Sequence, residues 1–149
     1  MAIKVNADIV DTYQREGFGP AMAKFIKLVS FQGPLPSNYL DQPAPDPAHF
    51  GLPTEDDGSR EDLLLSGNLA MPPFEPDAEA LRRSSVPIVP AIGEAGEGTL
   101  ARRGGEALAA LLGVPPVAFP GDHGGFAANQ WSPNNDPGAF ATKLREVLE

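Results

Sequence analysis

The chain has 149 residues, of which 42% are hydrophobic, so it is long enough for about one domain with a core of its own. Its formal net charge of −9 argues against nucleic acid and anionic membranes as partners, because both attract basic surfaces. The absence of cysteine excludes disulfides, thiolate zinc sites and cysteine nucleophiles. Since the first residues also lack the apolar stretch of a signal peptide, we expect a soluble, cytoplasmic protein.

The amino-terminal residues have the pattern of two short amphipathic helices. Asn6 is placed to cap a helix over residues 7–16, and Gly17 is placed to end it. A Gly-Pro pair then restarts a second helix, with Pro20 at its first position. Apolar residues recur in both at three- and four-residue spacing, which predicts a helical hairpin that needs another surface to cover it. Such a hairpin is either core or a lid over a pocket.

Residues 31–58 are rich in proline, which breaks any helix or central strand. A segment of this length is typical of a lid, a binding loop or a flexible connector. His49 lies within it, and we interpret this single loop histidine as a surface or packing residue. Behind the segment, Ser59 and Asp62 fit a capping box that predicts another helix, and a shorter helix is expected over residues 77–83.

The carboxyl-terminal part of the chain has the pattern of a βαβ unit. Residues 86–92 are typical of a short buried strand, residues 99–112 of an amphipathic helix and residues 117–119 of a second strand. This order predicts that the two strands are parallel, so that the loops that follow them leave the same edge of the sheet. A terminal helix is expected after Asp136, which is placed to cap it.

The stretch V-A-F-P-G-D-H-G-G-F, residues 117–126, carries the candidate chemistry. The second strand stops at a Pro-Gly pair, and His123 follows on a tight loop. Histidine is the usual general base near neutral pH, although a turn histidine can also do no more than satisfy nearby backbone. Glu94 and Glu97 lie in the loop after the first strand, so either can approach His123 at the shared edge. Asp122 adjoins His123, but consecutive loop side chains usually diverge.

In their order, these last elements resemble the end of an α/β-hydrolase. The run F-P-G-D-H-G-G-F, with A-F-A-T-K-L-R-E-V-L behind it, is similar to a subgroup of bacterial α/β-hydrolases that carry a helical cap. The opening D-I-V-D-T-Y-Q-R-E-G-F-G-P-A-M-A-K-F-I and the stretch L-L-L-S-G-N-L-A resemble that cap. The resemblance implies an α/β fold in which residues 1–85 form a cap-like region with the Pro-rich loop 31–58, and residues 86–149 form the carboxyl-terminal βαβα part of the hydrolase core.

The resemblance also implies an activity, the hydrolysis of an ester or a related acyl substrate without cofactor or metal. His123 would be the base of a catalytic triad, and Glu94 and Glu97 are the candidate acids. Hydrolases of this fold carry their serine in a G-x-S-x-G elbow, and no such pentapeptide occurs in this sequence. We therefore expect the chain alone to be inactive and to need a separate amino-terminal hydrolase half or a second copy, which would also cover the edges of a two-stranded sheet.

Two other hypotheses stay open at this point. The chain could be a non-catalytic relic of the fold that oligomerises or binds a small apolar ligand beneath the cap helices, since it brings no nucleophile. It could also hold a metal through His123, Asp122 and Glu94. Against a metal site, the chain has only two histidines, and no H-x-x-x-H spacing joins them.

Overall fold

The computed structural model describes residues 1–72, 74–128 and 132–149. The chain divides into two compact units, Met1–Glu75 and Pro76–Glu149. The sequence places the boundary ten residues later, between residues 85 and 86, so the short helix before that point belongs to the second unit. Among the described residues the chain is rich in helix and has two strands, which pair in parallel, so its class is mixed α/β.

The described residues contain eleven helical or strand elements, six in the first unit and five in the second. The first unit contains two helices and four short helical turns: α1 (Ala2–Glu16), α2 (Phe18–Val29), 3-10 turns at Tyr39–Asp41 and Pro47–Phe50, a π-helical turn at Leu63–Gly67 and a 3-10 turn at Asn68–Ala70. The second unit contains three helices and two strands: α3 (Ala78–Arg82), β1 (Ala91–Gly93), α4 (Leu100–Leu112), β2 (Val117–Phe119) and α5 (Pro137–Leu148). None of the described helices has the length and apolarity needed to cross a bilayer.

The helix α1 begins earlier than its sequence pattern predicts. Asn6 lies inside the helix and does not cap it, so that prediction is wrong. The reason is packing: Val5 and Ile9 lie one turn apart on the same face and both are buried, so an added turn buries apolar surface. The predicted end is confirmed, because Gly17 has a φ of 85° and its N–H donates to the Tyr13 carbonyl.

The helix α2 begins at Phe18, two residues before the position that Pro20 predicts, and Pro20 occupies the first turn without breaking it. The glycine between them has a steric role. A Cβ at Gly19 would collide with the Pro53 carbonyl oxygen, so the loop can approach α2 only where the side chain is missing.

The core of the first unit draws on the Pro-rich segment as well as on the helices. Tyr39 is 5% exposed and packs edge-on against Phe31, with ring centroids 5.5 Å apart. Leu65 from the π-helical turn is fully buried. That turn is capped by the Asp62 carboxylate, which accepts from the N–H groups of Leu64 and Leu65, so the predicted capping box led by Ser59 is wrong. The buried members of this core are Val5, Ile9, Tyr13, Ala21, Leu28, Tyr39 and Leu65.

In the second unit, β1 and β2 form a parallel pair, as the sequence predicts, and Ile92 lies opposite Ala118. The first strand is shorter than the predicted residues 86–92 because Pro87 and Pro90 have no N–H to donate to a ladder. The Pro90 carbonyl still accepts from the Val117 N–H, so the pairing starts at that point.

The three helices of the second unit begin at or next to their predicted first residues. Asp77, Thr99 and Asp136 cap α3, α4 and α5 through side-chain oxygens that accept from first-turn N–H groups. Gly113 ends α4 with a φ of 74°. The helix α5 packs against the sheet through Phe140, whose ring centroid lies 5.1 Å from that of Phe119.

Candidate active site

His123 lies on the loop that leaves the carboxyl end of β2. His123 is exposed, and its ring has no hydrogen-bond partner among residues 1–72, 74–128 and 132–149. The same residue lines a cavity of about 30 Å³, together with Gly93, Thr99 and Arg102. This volume is about that of one water molecule, so a small polar group fits beside the imidazole.

The backbone of this loop is fixed by close approaches at its glycines. Gly121 has a φ of 88°, and a Cβ there would lie 2.5 Å from Asn135 Oδ1 and 2.9 Å from the Gly125 Cα. A Cβ at Gly125 would collide with the Pro120 carbonyl oxygen. The sequence Pro-Gly-Asp-His-Gly-Gly therefore folds as a tight crossing of backbone on backbone, with the histidine at its exposed side.

Asp122 organises the loop and does not orient the histidine. Its Oδ2 accepts from the Ser132 hydroxyl at 2.6 Å, and its Oδ1 accepts from Asn135 Nδ2 at 2.9 Å and from the Gly124 N–H at 2.7 Å. These donors, with the Ser132 hydroxyl the strongest, lower the pKa of Asp122 below its usual range. Asn135, which is buried, returns a hydrogen bond by accepting from the Asp122 N–H at 3.1 Å.

The loop after β1 meets the histidine loop through backbone hydrogen bonds. The Glu94 N–H donates to the Phe119 carbonyl at 3.0 Å, and the Ala95 N–H donates to the Gly121 carbonyl at 2.9 Å. Arg102 holds this loop from α4, since its Nη1 donates to the carbonyls of Gly93 and Glu94 at 3.1 Å each. The two loops thus lie at one edge of the sheet, as parallel pairing predicts.

The carboxylates of the β1 loop do not bind the imidazole in this structure. Glu94 and Glu97 are both exposed, and in the described part of the chain neither carboxylate accepts a hydrogen bond from His123. The structure therefore places the backbone of Glu94 beside the histidine loop and shows no hydrogen bond between either carboxylate and the imidazole. Their assignment as base and acids stays a prediction.

The other candidates from the sequence lie elsewhere or are engaged. His49 is exposed on the 3-10 turn Pro47–Phe50 of the first unit, as expected of a surface residue. In the metal hypothesis, the Asp122 carboxylate is already bound by Ser132 and Asn135, which a metal would have to displace. Among the residues that the structure describes, no three potential metal ligands cluster.

Sequence reasoning did not find the residues that hold the site. The sequence D-H-G is typical of an Asx turn, so the bond from Gly124 to Asp122 could have been predicted. The contacts of Asp122 with Ser132 and Asn135 span 10 and 13 residues of irregular chain, and no pattern in the sequence indicates them.

Comparison with models of protein families, with curated proteins and with solved structures gives no match for this chain. Any functional conclusion therefore depends on the chemistry and the geometry of its own residues.

Proposed function

We propose that this chain carries the histidine-bearing part of an ester or acyl hydrolase of the α/β-hydrolase type, and that it receives its serine nucleophile from outside this sequence. The observation that supports the proposal is the position of His123: the residue is exposed at the carboxyl edge of a parallel strand pair, and no described residue hydrogen-bonds its ring. The other histidine, His49, is also exposed, but it lies on a 3-10 turn of the first unit and not at the end of a strand.

In this function His123 is the general base. Its imidazole takes the proton from the attacking serine hydroxyl and then gives that proton to the departing alcohol. Glu94 or Glu97 accepts a hydrogen bond from the other ring nitrogen and so fixes the tautomer. Because the two loops are already joined by the bond from Ala95 to Gly121, we expect that only the glutamate side chain has to reorient. The Asp122 network keeps the loop rigid during these transfers.

An uncovered apolar groove in the second unit supports the need for a further segment. The groove has a volume of about 490 Å³ and lies between the chain leading into β1, the strand pair and α5. Val86 and Leu148 on its walls are 67% and 76% exposed. In an α/β-hydrolase more strands continue the sheet. A second copy of this chain could cover the groove, which is the non-catalytic, oligomeric alternative, but it would bring no G-x-S-x-G elbow.

The proposal can be tested by complementation. The full 149-residue chain is fused behind the amino-terminal half of an α/β-hydrolase esterase, which ends after its nucleophile elbow and central strands. Hydrolysis of p-nitrophenyl butyrate is measured for this fusion, for His123→Asn and for the matched control His49→Asn. We expect the fusion to be active. Its activity should fall at least ~10³-fold in His123→Asn, because loss of the triad base removes most of the catalysis, and should be unchanged in His49→Asn.

The fusion is informative only when it is folded, which a cooperative thermal transition shows. A folded fusion without activity, or one in which His123→Asn retains full activity, would refute the proposal. Glu94→Gln and Glu97→Gln then identify the acid. Only the substitution of the glutamate that binds His123 should lower kcat, by roughly 10²-fold to 10⁴-fold.

A further inference from the structure

The first unit contains a cleft that the proposed function does not use. The cleft lies between α1, α2 and the segment of residues 39–45, and has a volume of about 150 Å³. A cavity of this volume accommodates a benzene ring. We name it the α1–α2 cleft. All its lining residues belong to the unit Met1–Glu75, so a ligand can bind there whether or not the second unit is part of a hydrolase.

Two ammonium groups on α2 line the α1–α2 cleft, and neither is saturated by the protein. Lys24 Nζ donates to Asp8 Oδ2 and to Thr12 Oγ1, both at 2.8 Å. Lys27 Nζ donates to the Pro43 carbonyl at 3.2 Å. An ammonium has three N–H donors, so one on Lys24 and two on Lys27 have no acceptor among the described residues. The cleft is lined by these two positive charges and by the negative charge of Asp8, so its net charge is +1.

Tyr39 lines the same cleft and is itself almost wholly buried. The residue is 5% exposed, and its hydroxyl is the one buried side-chain polar atom in the described part of the chain without a hydrogen-bond partner. Buried polar groups are nearly always paired, so an unpaired one in a native protein needs an explanation. Burial also raises the pKa of Tyr39, and because the hydroxyl has almost no accessible surface, a ligand in the cleft meets the Tyr39 ring and not this oxygen.

The position of Lys27 connects these groups. Its Nζ lies 5.2 Å from the centroid of the Tyr39 ring, a distance at which a cation and an aromatic face attract. The ring is held from another side by Phe31. The cation and the ring are therefore fixed relative to each other before any ligand enters, which lowers the entropy that binding has to overcome.

We propose that the α1–α2 cleft binds a small monocarboxylate with an apolar body. Ammonium groups call for an acceptor-only partner, and the net charge of +1 calls for a single negative charge, so Lys24 and Lys27 are the groups that receive the carboxylate. Val5, Leu40 and Pro45 on the remaining wall, beside Gln42, suit a short alkyl chain or a ring.

Calorimetric titration of the full chain with sodium hexanoate and sodium benzoate tests this inference. Both should bind, and the uncharged hexanamide should bind at least tenfold more weakly. Lys27→Gln should weaken hexanoate at least tenfold. Lys4→Gln is the matched control, because Lys4 is an exposed lysine of α1 outside the cleft, and it should leave the affinity unchanged.

The melting temperature of Lys27→Gln separates a binding role from a structural one, because it should equal that of the unchanged chain while hexanoate binds more weakly. The inference is overturned if neither carboxylate binds at millimolar concentration, if hexanamide binds equally well, or if Lys27→Gln binds hexanoate as the unchanged chain does.

Discussion

The two units of this chain bury their apolar residues to different extents. In Met1–Glu75, α1, α2, the Pro-rich segment and the π-helical turn converge on one cluster, in which Ile9 and Leu65 are fully buried. In Pro76–Glu149 the sheet has two strands, α5 has no buried residue, and Leu148 is 76% exposed. Both units expose some apolar residues, but the first encloses the larger core, whereas α5 of the second buries none of its own residues.

This difference shows that sequence pattern and packing can disagree within one chain. The helix α5 has the cap, the proline and the apolar spacing of a core helix, yet its apolar residues line a groove that the described residues do not fill. A face of this kind normally meets another surface. The uncovered face of α5 is what supports a missing segment for the second unit.

The largest effect is expected in the core of the first unit. Ile9→Ala should lower the free energy of unfolding by about 2–5 kcal/mol, because it leaves a cavity at a fully buried site. Leu148→Ala, at an exposed site of the second unit, should change it by less than about 0.5 kcal/mol. Urea denaturation measures both, and similar losses for the two variants would mean that α5 is as well covered as α1.

A neighbouring pair of glycines sharpens the contrast inside the second unit. A Cβ at Gly105 would lie 2.8 Å from Ile92 Cγ2 and 3.1 Å from the Ala91 carbonyl oxygen, so Gly105→Ala should destabilise by about 1–3 kcal/mol. A Cβ at Gly104 meets nothing within 4 Å, so Gly104→Ala should stabilise by roughly 0.5–1 kcal/mol through helix propensity.

Thermal unfolding of the two variants tests this prediction, and the melting temperature should fall in Gly105→Ala and rise in Gly104→Ala. If both substitutions stabilised the chain, α4 would not pack against β1 as closely as described.

A smaller effect concerns the loop of His123. Asp122→Asn removes a charged acceptor and should cost about 1–2 kcal/mol. Since the pKa of Asp122 is lowered in the folded chain, its contribution is present above the ordinary value of 3.8 and is lost as the pH falls below it. The pH dependence of urea unfolding should therefore flatten in Asp122→Asn between about pH 5 and the acid limit, and an unchanged slope would contradict the network.

The smallest effect is expected from a solvated carboxylate of the first unit. The Arg60 guanidinium, followed by the Gly58 N–H, lowers the pKa of Asp56 from 3.8 to about 2. The sign is the same: the stabilisation is present above pH 3.8 and disappears as the pH falls towards 2. Because the pair is exposed, Asp56→Asn should reduce the acid dependence only slightly, and high salt should reduce it as well. A loss comparable with that of Asp122→Asn would mean that this pair is more than a surface contact.

The sequence predicted the elements whose boundaries depend on local chemistry. Asp136 caps a helix and Gly17 ends one, because each effect acts within one turn. Asn6 failed as a cap because burial of Val5 favours a longer helix, an effect that local propensity cannot weigh.

The candidate site was predictable to a similar degree. Strand order and the histidine loop located His123 beside the loop of Glu94, since parallel strands constrain where loops emerge. The position of Tyr39 could not be foreseen, because residues 31–58 lack periodicity and nothing in them indicates which aromatic ring enters the core. The cleft beside it depends on that ring, and was missed for the same reason.

Amide hydrogen exchange on the full chain, read by peptide, tests most directly whether the second unit is incomplete while the first is not. We predict slow exchange for the inner turns of α1 and α2, and exchange faster by several orders of magnitude for β1, β2 and α5. Protection of β1 and α5 equal to that of α1, in a chain that light scattering finds monomeric, would contradict this difference, because the second unit would then be complete on its own.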